Sequence, residues 1–301
     1  MSQNDSKQLI NGILLLNKPQ GITSNAALQK VKRLFNASKA GHTGSLDPLA
    51  TGMLPICFGE ATKFSQYLLN DDKVYIATGL FGAKTDTSDA DGTIIAKIDN
   101  YHIEKQALEE IIKQFIGITL QLPSMYSALK YKGQPLYKFA RTGKTIDREP
   151  RPINIYSIEL MAFSKQQFTI KVHCGKGTYI RNLIEDIGEK LGIYAHLTQL
   201  HRVYISHFLD KPMYELSELA NLELDALKAY LIPCDYAVNY LPAITINEAQ
   251  ELELRQGKII KKHFTDSTSG CVRLYNHDTQ FIGLGEVDAD TIKVKRLLVK
   301  N

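Results

Sequence analysis

A chain of 301 residues with 44% apolar and 23% charged residues is long enough for one large domain or two ordinary ones, and its makeup excludes wholesale disorder. The apolar run Ile13 to Leu16 covers only four residues, no stretch approaches the roughly 18 that a membrane span needs, and the polar start MSQNDSKQ lacks the pattern of an export signal. The net charge of +4 is too small to name a partner by itself. Cys57, Cys174, Cys234 and Cys271 are scattered without a CxxC pair, so neither a disulfide framework nor a zinc site is indicated, and a cytoplasmic location is expected.

In chain order, GILLLNKPQG predicts a short buried strand closed by a Pro-Gly turn. Ser24 stands as a cap before a helical pattern at Ala27, Leu28, Val31, Leu34 and Phe35. A loop over 36 to 52 follows, containing GHTGSLDPLATG, where three glycines and a proline surround one carboxylate, Asp47. VYIATGLFG and GTIIAKI read as strands, and Glu104 to Phe115 as an amphipathic helix. From Lys130 to Arg151 there are seven basic residues against two acidic ones, +5 locally, with Tyr126, Tyr131 and Tyr137 interleaved. That mixture suits a surface that neutralises phosphates and offers rings to bases.

Ile153 to Phe163 and Gln167 to Cys174 predict neighbouring strands, GTYIRNLIEDIGEKLG a helix, and Leu197 to Phe208 another strand. Elements mixed without regular alternation favour an α+β sheet over a doubly wound one. Periodicity lapses around Asn239 to Thr245. A short helix from Asn247 to Arg255 and the strands CVRLY, FIGLGEV and IKVKRLLV then imply a second small β unit, with nine basic and five acidic residues from Leu254 onward.

Two motifs fail on inspection. Aligning SDADG as a calcium loop puts Thr87 and Ile98 at the two anchoring ligand positions, and GKGT lacks the first glycine and the hydroxyl of a phosphate loop. Neither a metal nor a nucleotide triphosphate is supported.

GHTGSLDPLATG, with NKPQGITS, KVYIATG, TDTSDADG and GTYIRNL in the same order through most of residues 12 to 208, resembles the TruB-type tRNA pseudouridine synthases. The resemblance implies isomerisation of uridine to pseudouridine in the T-loop of tRNA, at position 55, by a stand-alone monomer needing no cofactor, metal or obligate protein partner. It implies a catalytic domain over 1–242 around a central mixed, mainly antiparallel sheet, and a small RNA-binding PUA-like domain over 243–301. It assigns reaction at C1′ or C2′ of a flipped-out uridine to Asp47, and gives Arg181 the task of holding that carboxylate. Tyr75 would stack on the uracil and assist proton removal from C5, His42 would fill the space the base vacates, Tyr179 and Leu200 would line the pocket, and Lys18 and Pro19 would brace the loop.

Breaking a nucleosidic bond releases uracil as a delocalised anion, so one carboxylate can suffice where glycoside hydrolases pair two. A carboxylate in a water-poor pocket needs a cation nearby, and the planar fork of Arg181 can supply one bidentately. Pairing with Glu185, one helical turn on, is the local alternative for Arg181. Rival functions are an RNA N-glycosidase that admits water to C1′, and an RNA-binding or tRNA-folding protein without catalysis. A guide-RNA-dependent relative is a further alternative within the isomerases. The chain departs from the family pattern at Asn17, at Ser124 and in YISHF at 204–208, none of which touches the aspartate.

Overall fold

A computed structural model describes residues 6–261 and 269–299. Lys262, Asp266 and Lys300, which enter the charge count of the tail, and the first five residues of the polar start lie outside the described residues.

The centre is an eight-stranded sheet. Its order is Gly12–Lys18, Thr51–Phe58, Ala195–Ile205, Lys73–Phe81, Gln167–Cys174, Arg151–Phe163, Gly117–Gln121, with Ala40–His42 added beside Thr51–Phe58. Every pairing is antiparallel except that of Ala195–Ile205 with Thr51–Phe58, which is parallel and limited to Thr51↔His201 and Gly52↔Arg202. The expected α+β class and mixed, mainly antiparallel sheet are therefore what the chain forms. Strand Thr51–Phe58 and the short Ala40–His42 fall in or beside the stretch read as loop. Pro55 removes a ladder donor and so disguises the first of them, but its carbonyl is used, accepting from the Thr43 N–H at 3.1 Å.

Helix Ser24–Leu34 buries Ala27, Leu28 and Val31 as its spacing requires. Its cap is Thr23, not Ser24: the Thr23 hydroxyl accepts from Ala26 N–H at 3.0 Å, which frees Ser24 for another task. Helix Ile180–Lys190 lays Leu183, Ile184 and Ile187 on the sheet. Gly79 permits this approach, because a Cβ there would lie 2.8 Å from Ile184 Cγ2. GTIIAKI does form a strand, Ile94–Lys97, but it pairs with Ala83–Thr85 as a two-stranded ribbon apart from the sheet, with Ile94 and Ile95 exposed and Ala83 and Thr85 buried.

The C-terminal region forms a five-stranded sheet in the order Ala243–Thr245, Gly270–Tyr275, Phe281–Asp288, Thr291–Leu297, Ile260–Lys261. Helix Glu248–Arg255 accompanies it, with Asn247 and Gln250 forming a reciprocal capping box. This β-rich part has its own core of Ile244, Ile246, Leu254, Val272, Leu274 and Ile292. It joins the larger sheet's flank through the rings of Phe64 and Phe281, 5.4 Å apart, and a 2.6 Å hydrogen bond from the Tyr275 hydroxyl to Asp235. No helix among the described residues is long and apolar enough to cross a membrane.

Candidate active site

The loop that carries Asp47 leaves the end of Ala40–His42 and returns as Thr51–Phe58, two strands already paired to each other. Its path is fixed from four sides. Ser24 Oγ accepts from Leu46 N–H at 2.8 Å and donates to Leu46 O at 2.9 Å, so a buried serine satisfies both peptide groups of the residue before Asp47. Gly21 N–H donates to Pro48 O at 2.8 Å. Lys18 Nζ binds Pro19 O and Ile22 O at 2.8 Å and approaches Pro48 O at 3.5 Å. Arg202 donates to Gly44 O at 2.8 Å from Nη2 and to Met53 O at 2.6 Å from Nε. Glycine is required at position 52, where φ is +100° and a Cβ would meet Arg202 O at 2.2 Å.

Arg181, near the start of its helix, directs Nε to Asp47 Oδ2 at 3.0 Å. The local alternative fails, because Glu185 turns outward to Lys84 at 3.0 Å. The bidentate clamp is also absent. Arg181 divides its fork: Nη1 reaches Thr87 O at 3.2 Å and Asp89 Oδ2 at 3.4 Å, and Nη2 reaches Tyr126 O at 3.3 Å. Asp47 receives one contact because the other donors are committed elsewhere.

The Asp47 side chain is 42% exposed against 7% for Arg181, and its exposed part faces a cavity that the protein partly encloses. That enclosure decides its electrostatics. Burial pushes the carboxyl above its ordinary pKa and Arg181 pulls it back, with Asp89 adding a smaller upward push and Lys18 a smaller downward pull. Lys18 is itself pushed down to about 8, first by burial and then by Arg202, while Asp47 opposes the shift.

The cavity measures about 330 Å³ and is lined by Asp47, Tyr75, Tyr179, Arg181 and Leu200 among others, which brings together five of the residues singled out in the sequence. Tyr75 and Leu200 are buried in the sheet floor. Tyr179 caps the helix that carries Arg181, and Gln121 clasps its peptide by two hydrogen bonds, of 2.8 and 3.0 Å. Burial raises both phenols, so Tyr75 and Tyr179 hold their protons at neutral pH. His42, Lys18 and Pro19 do not line this cavity. His42 ends the strand before the loop, and burial followed by Arg202 depresses its pKa, leaving a neutral imidazole.

Sequence reasoning missed Asp89, Arg202 and Lys73 as site residues, and read Tyr126 only as part of the basic, tyrosine-bearing surface rather than as a partner of Arg181. Asp89 lies in the segment tested as a calcium loop, where its carboxylate instead accepts from Thr87 Oγ1 at 2.6 Å and Asp91 N–H at 3.2 Å and faces Arg181. Lys73 and Arg202 carried a usable signal: each lies two residues from a predicted pocket residue on the same strand, hence on the same face. The basic stretch forms a small hairpin, Lys130–Tyr131 with Gln134–Pro135, and a helix, Leu136–Ala140. Leu136 and Tyr137 N–H groups bond to Leu129 and Ser127 carbonyls, which anchors this stretch beside Tyr126, Ser127 and Ala128 on the cavity rim.

A mixed sheet with a single carboxylate presented over its floor by a glycine-bounded loop is the arrangement expected of a pseudouridine synthase. Residues 32–180 match the N-terminal domain of the TruB family pseudouridylate synthases, residues 181–239 the tRNA pseudouridylate synthase B C-terminal domain, and residues 242–298 the C-terminal segment of pseudouridine synthase II TruB. A tRNA pseudouridine synthase B of Legionella pneumophila (strain Lens) is 51% identical over 300 residues, covering 99% of each chain. That of Haemophilus influenzae (strain PittEE) is 45% identical, covering 97% of this chain and 96% of the relative. The fold is shared with a solved Cbf5-Nop10-Gar1 complex, with a TM-score of 0.72 at 23% identity over 98% of this chain and 87% of that one. An H/ACA ribonucleoprotein bound to a substrate RNA containing 2′-deoxyuridine gives 0.71 at 22%, over 96% and 85%. The chain belongs to the TruB family of pseudouridine synthases.

Proposed function

We propose that this chain isomerises uridine to pseudouridine in the T-loop of tRNA, at position 55, as a stand-alone, cofactor-independent cytoplasmic enzyme acting as a monomer. The observation that carries the chemistry is Asp47 facing the cavity with Arg181 Nε at 3.0 Å from one of its oxygens. The guanidinium offsets the cost of keeping a carboxylate ionised in an enclosed site and fixes its direction.

A uridine in a folded loop must be turned out of its stack before C1′ can be reached, which costs a few kcal/mol. Tyr75, Tyr179 and Leu200 offer the extruded base a wall of two rings and an aliphatic chain. Tyr75 stacks on the uracil and assists removal of the proton from C5. His42, neutral and outside the cavity, fills the gap left in the RNA. Lys18 and Pro19 act on the loop, not on substrate. Asp47 then acts at ribose, by bonding to C1′ or by taking the 2′ proton.

We assign the chemistry to residues 1–242 and an RNA-binding, PUA-like role to 243–301. The segment from Lys130 to Arg151, with Lys130, Lys132, Lys138, Arg141 and Lys144 exposed, lies over the RNA and reads it through phosphates and shape. Nucleoside analysis of tRNA treated with purified protein and no added cofactor tests the whole reading. Pseudouridine at position 55 is expected. Free uracil would make the chain an N-glycosidase, and an unchanged tRNA that still binds would make it an RNA-binding protein.

A further inference from the structure

Two cations line the uridine cavity without a task in the chemistry above. Lys73 and Tyr75 alternate on Lys73–Phe81, Leu200 and Arg202 alternate on Ala195–Ile205, and Arg202 pairs across the sheet with Tyr75. Arg202 is 1% exposed and Lys73 7%. Unlike Arg181, which meets two carboxylates, neither forms a salt bridge among the described residues. Arg202 donates to the carbonyls of Gly44 and Met53, and Lys73 to those of Leu69 and Asp71. Buried charges ordinarily require a paired counter-charge. Burial first, and Arg202 second, push Lys73 down to about 8, and the neighbouring Asp71, with Cys174 and Asp72, offsets only part of that shift.

We propose that Lys73 and Arg202 stabilise the uracil anion released when the C1′–N1 bond breaks. This rests on the reaction proposed above. The C1′–N1 electron pair stays on the base, and Asp47 either bonds to C1′ or takes the 2′ proton. On both routes uracil carries one negative charge, spread over its carbonyl oxygens, until C5 bonds to C1′, which displaces Asp47 from that carbon or is accompanied by return of the proton from Asp47 to C2′; C5 then loses its proton and N1 gains one. A pocket wall bearing fixed positive charge is matched to that intermediate rather than to neutral uridine, which is the condition for acceleration. Carbonyl-bonded cations could also serve only as braces for the loops at Gly44 and Leu69, or hold a phosphate, so the test must separate charge on the leaving base from both.

Fluorine at C5 withdraws electrons and makes the departing base a more stable anion. T-stem-loop RNAs carrying uridine or 5-fluorouridine at the target are compared in single turnovers of the full chain, following loss of the parent nucleoside by mass spectrometry. Lys73→Gln is expected to slow uridine by roughly 10- to 100-fold and 5-fluorouridine at least about fivefold less, with RNA affinity within about twofold, the pattern of lost transition-state charge stabilisation. Lys73→Arg is expected to restore most of the rate. Lys73→Met replaces the glutamine variant if that chain does not fold. Equal slowing of both RNAs, or a loss confined to affinity, would overturn the proposal. Formation of pseudouridine by the unmodified chain in the same assay keeps failure of this inference distinct from failure of the assigned reaction.

Discussion

Ser24→Ala removes one oxygen and tests whether the Asp47 loop is held from outside. That oxygen accepts from Leu46 N–H at 2.8 Å and donates to Leu46 O at 2.9 Å, and Ser24 is 4% exposed. A net buried hydrogen bond contributes about 0.5 to 1.5 kcal/mol, and a buried polar group left unpaired costs about 1 to 3 kcal/mol. Two bonds to one peptide therefore put the loss at about 2 to 3 kcal/mol, some of it recovered if the peptide swings toward water. Swinging would carry Asp47 with it, and a displacement near 1 Å at a reacting group lowers rate by about 100-fold. The expected result is a lower urea midpoint with an unchanged slope, a single-turnover rate down by about 10- to 100-fold, and RNA affinity nearly unchanged. Thr23→Ala supplies the control. It deletes the true helix cap, 3.0 Å from Ala26 N–H, and costs about 1 kcal/mol of stability without touching the loop. If both variants lose stability and both keep full rate, the serine does not position the carboxylate.

Asp47→Asn preserves shape and removes charge, so turnover should vanish while tRNA affinity stays within about 1 kcal/mol, and retained conversion of uridine would remove Asp47 from the chemistry. The rate of the unmodified chain should fall as pH drops through a midpoint above the ordinary carboxylate range, because burial raises Asp47 and the ionised form reacts. In Arg181→Gln the cation favouring that form is gone, so the acid limb of the single-turnover profile should move further up; a limb at or below its original position refutes the pairing. Replacing exposed Lys132 and Lys138 together by glutamine should weaken tRNA binding and flatten its salt dependence, by about one unit of slope for each phosphate no longer neutralised. An unchanged slope would take the basic hairpin off the RNA.

Much of this architecture was legible because its signals are local. Val31, Leu183 and Ile187 follow the helical period, and Tyr75, Ala77 and Gly79 alternate with residues of the opposite face. What escaped depends on pairings that local pattern does not encode. Thr51–Phe58 was hidden by Pro55. Ser24 looked like a cap because a serine before a helix usually is one, and only the folded chain shows Thr23 capping while Ser24 holds Leu46. Asp89 and Arg181 stand 92 positions apart, and Tyr126 meets Arg181 through its carbonyl, a group that every residue possesses. Arg202 is a single arginine in an otherwise ordinary strand, and its burial becomes visible only once the loop at Gly44 packs against it.

The divided fork of Arg181 has a mechanistic consequence that a bidentate clamp would not. A clamp engages both carboxylate oxygens and withdraws charge from whichever must react. Here Nε meets Oδ2 alone, and no described residue hydrogen-bonds to Oδ1, so one oxygen is held and the other is left for ribose. Rigidity that the second contact would have given Asp47 comes instead from the far side of the guanidinium, where Asp89, Thr87 O and Tyr126 O fix its plane. Asp89 also spends part of the positive charge, which is one reason the Asp47 carboxyl stays above its usual range. Tyr126 adds a further link, since it leads into the basic hairpin assigned to the RNA.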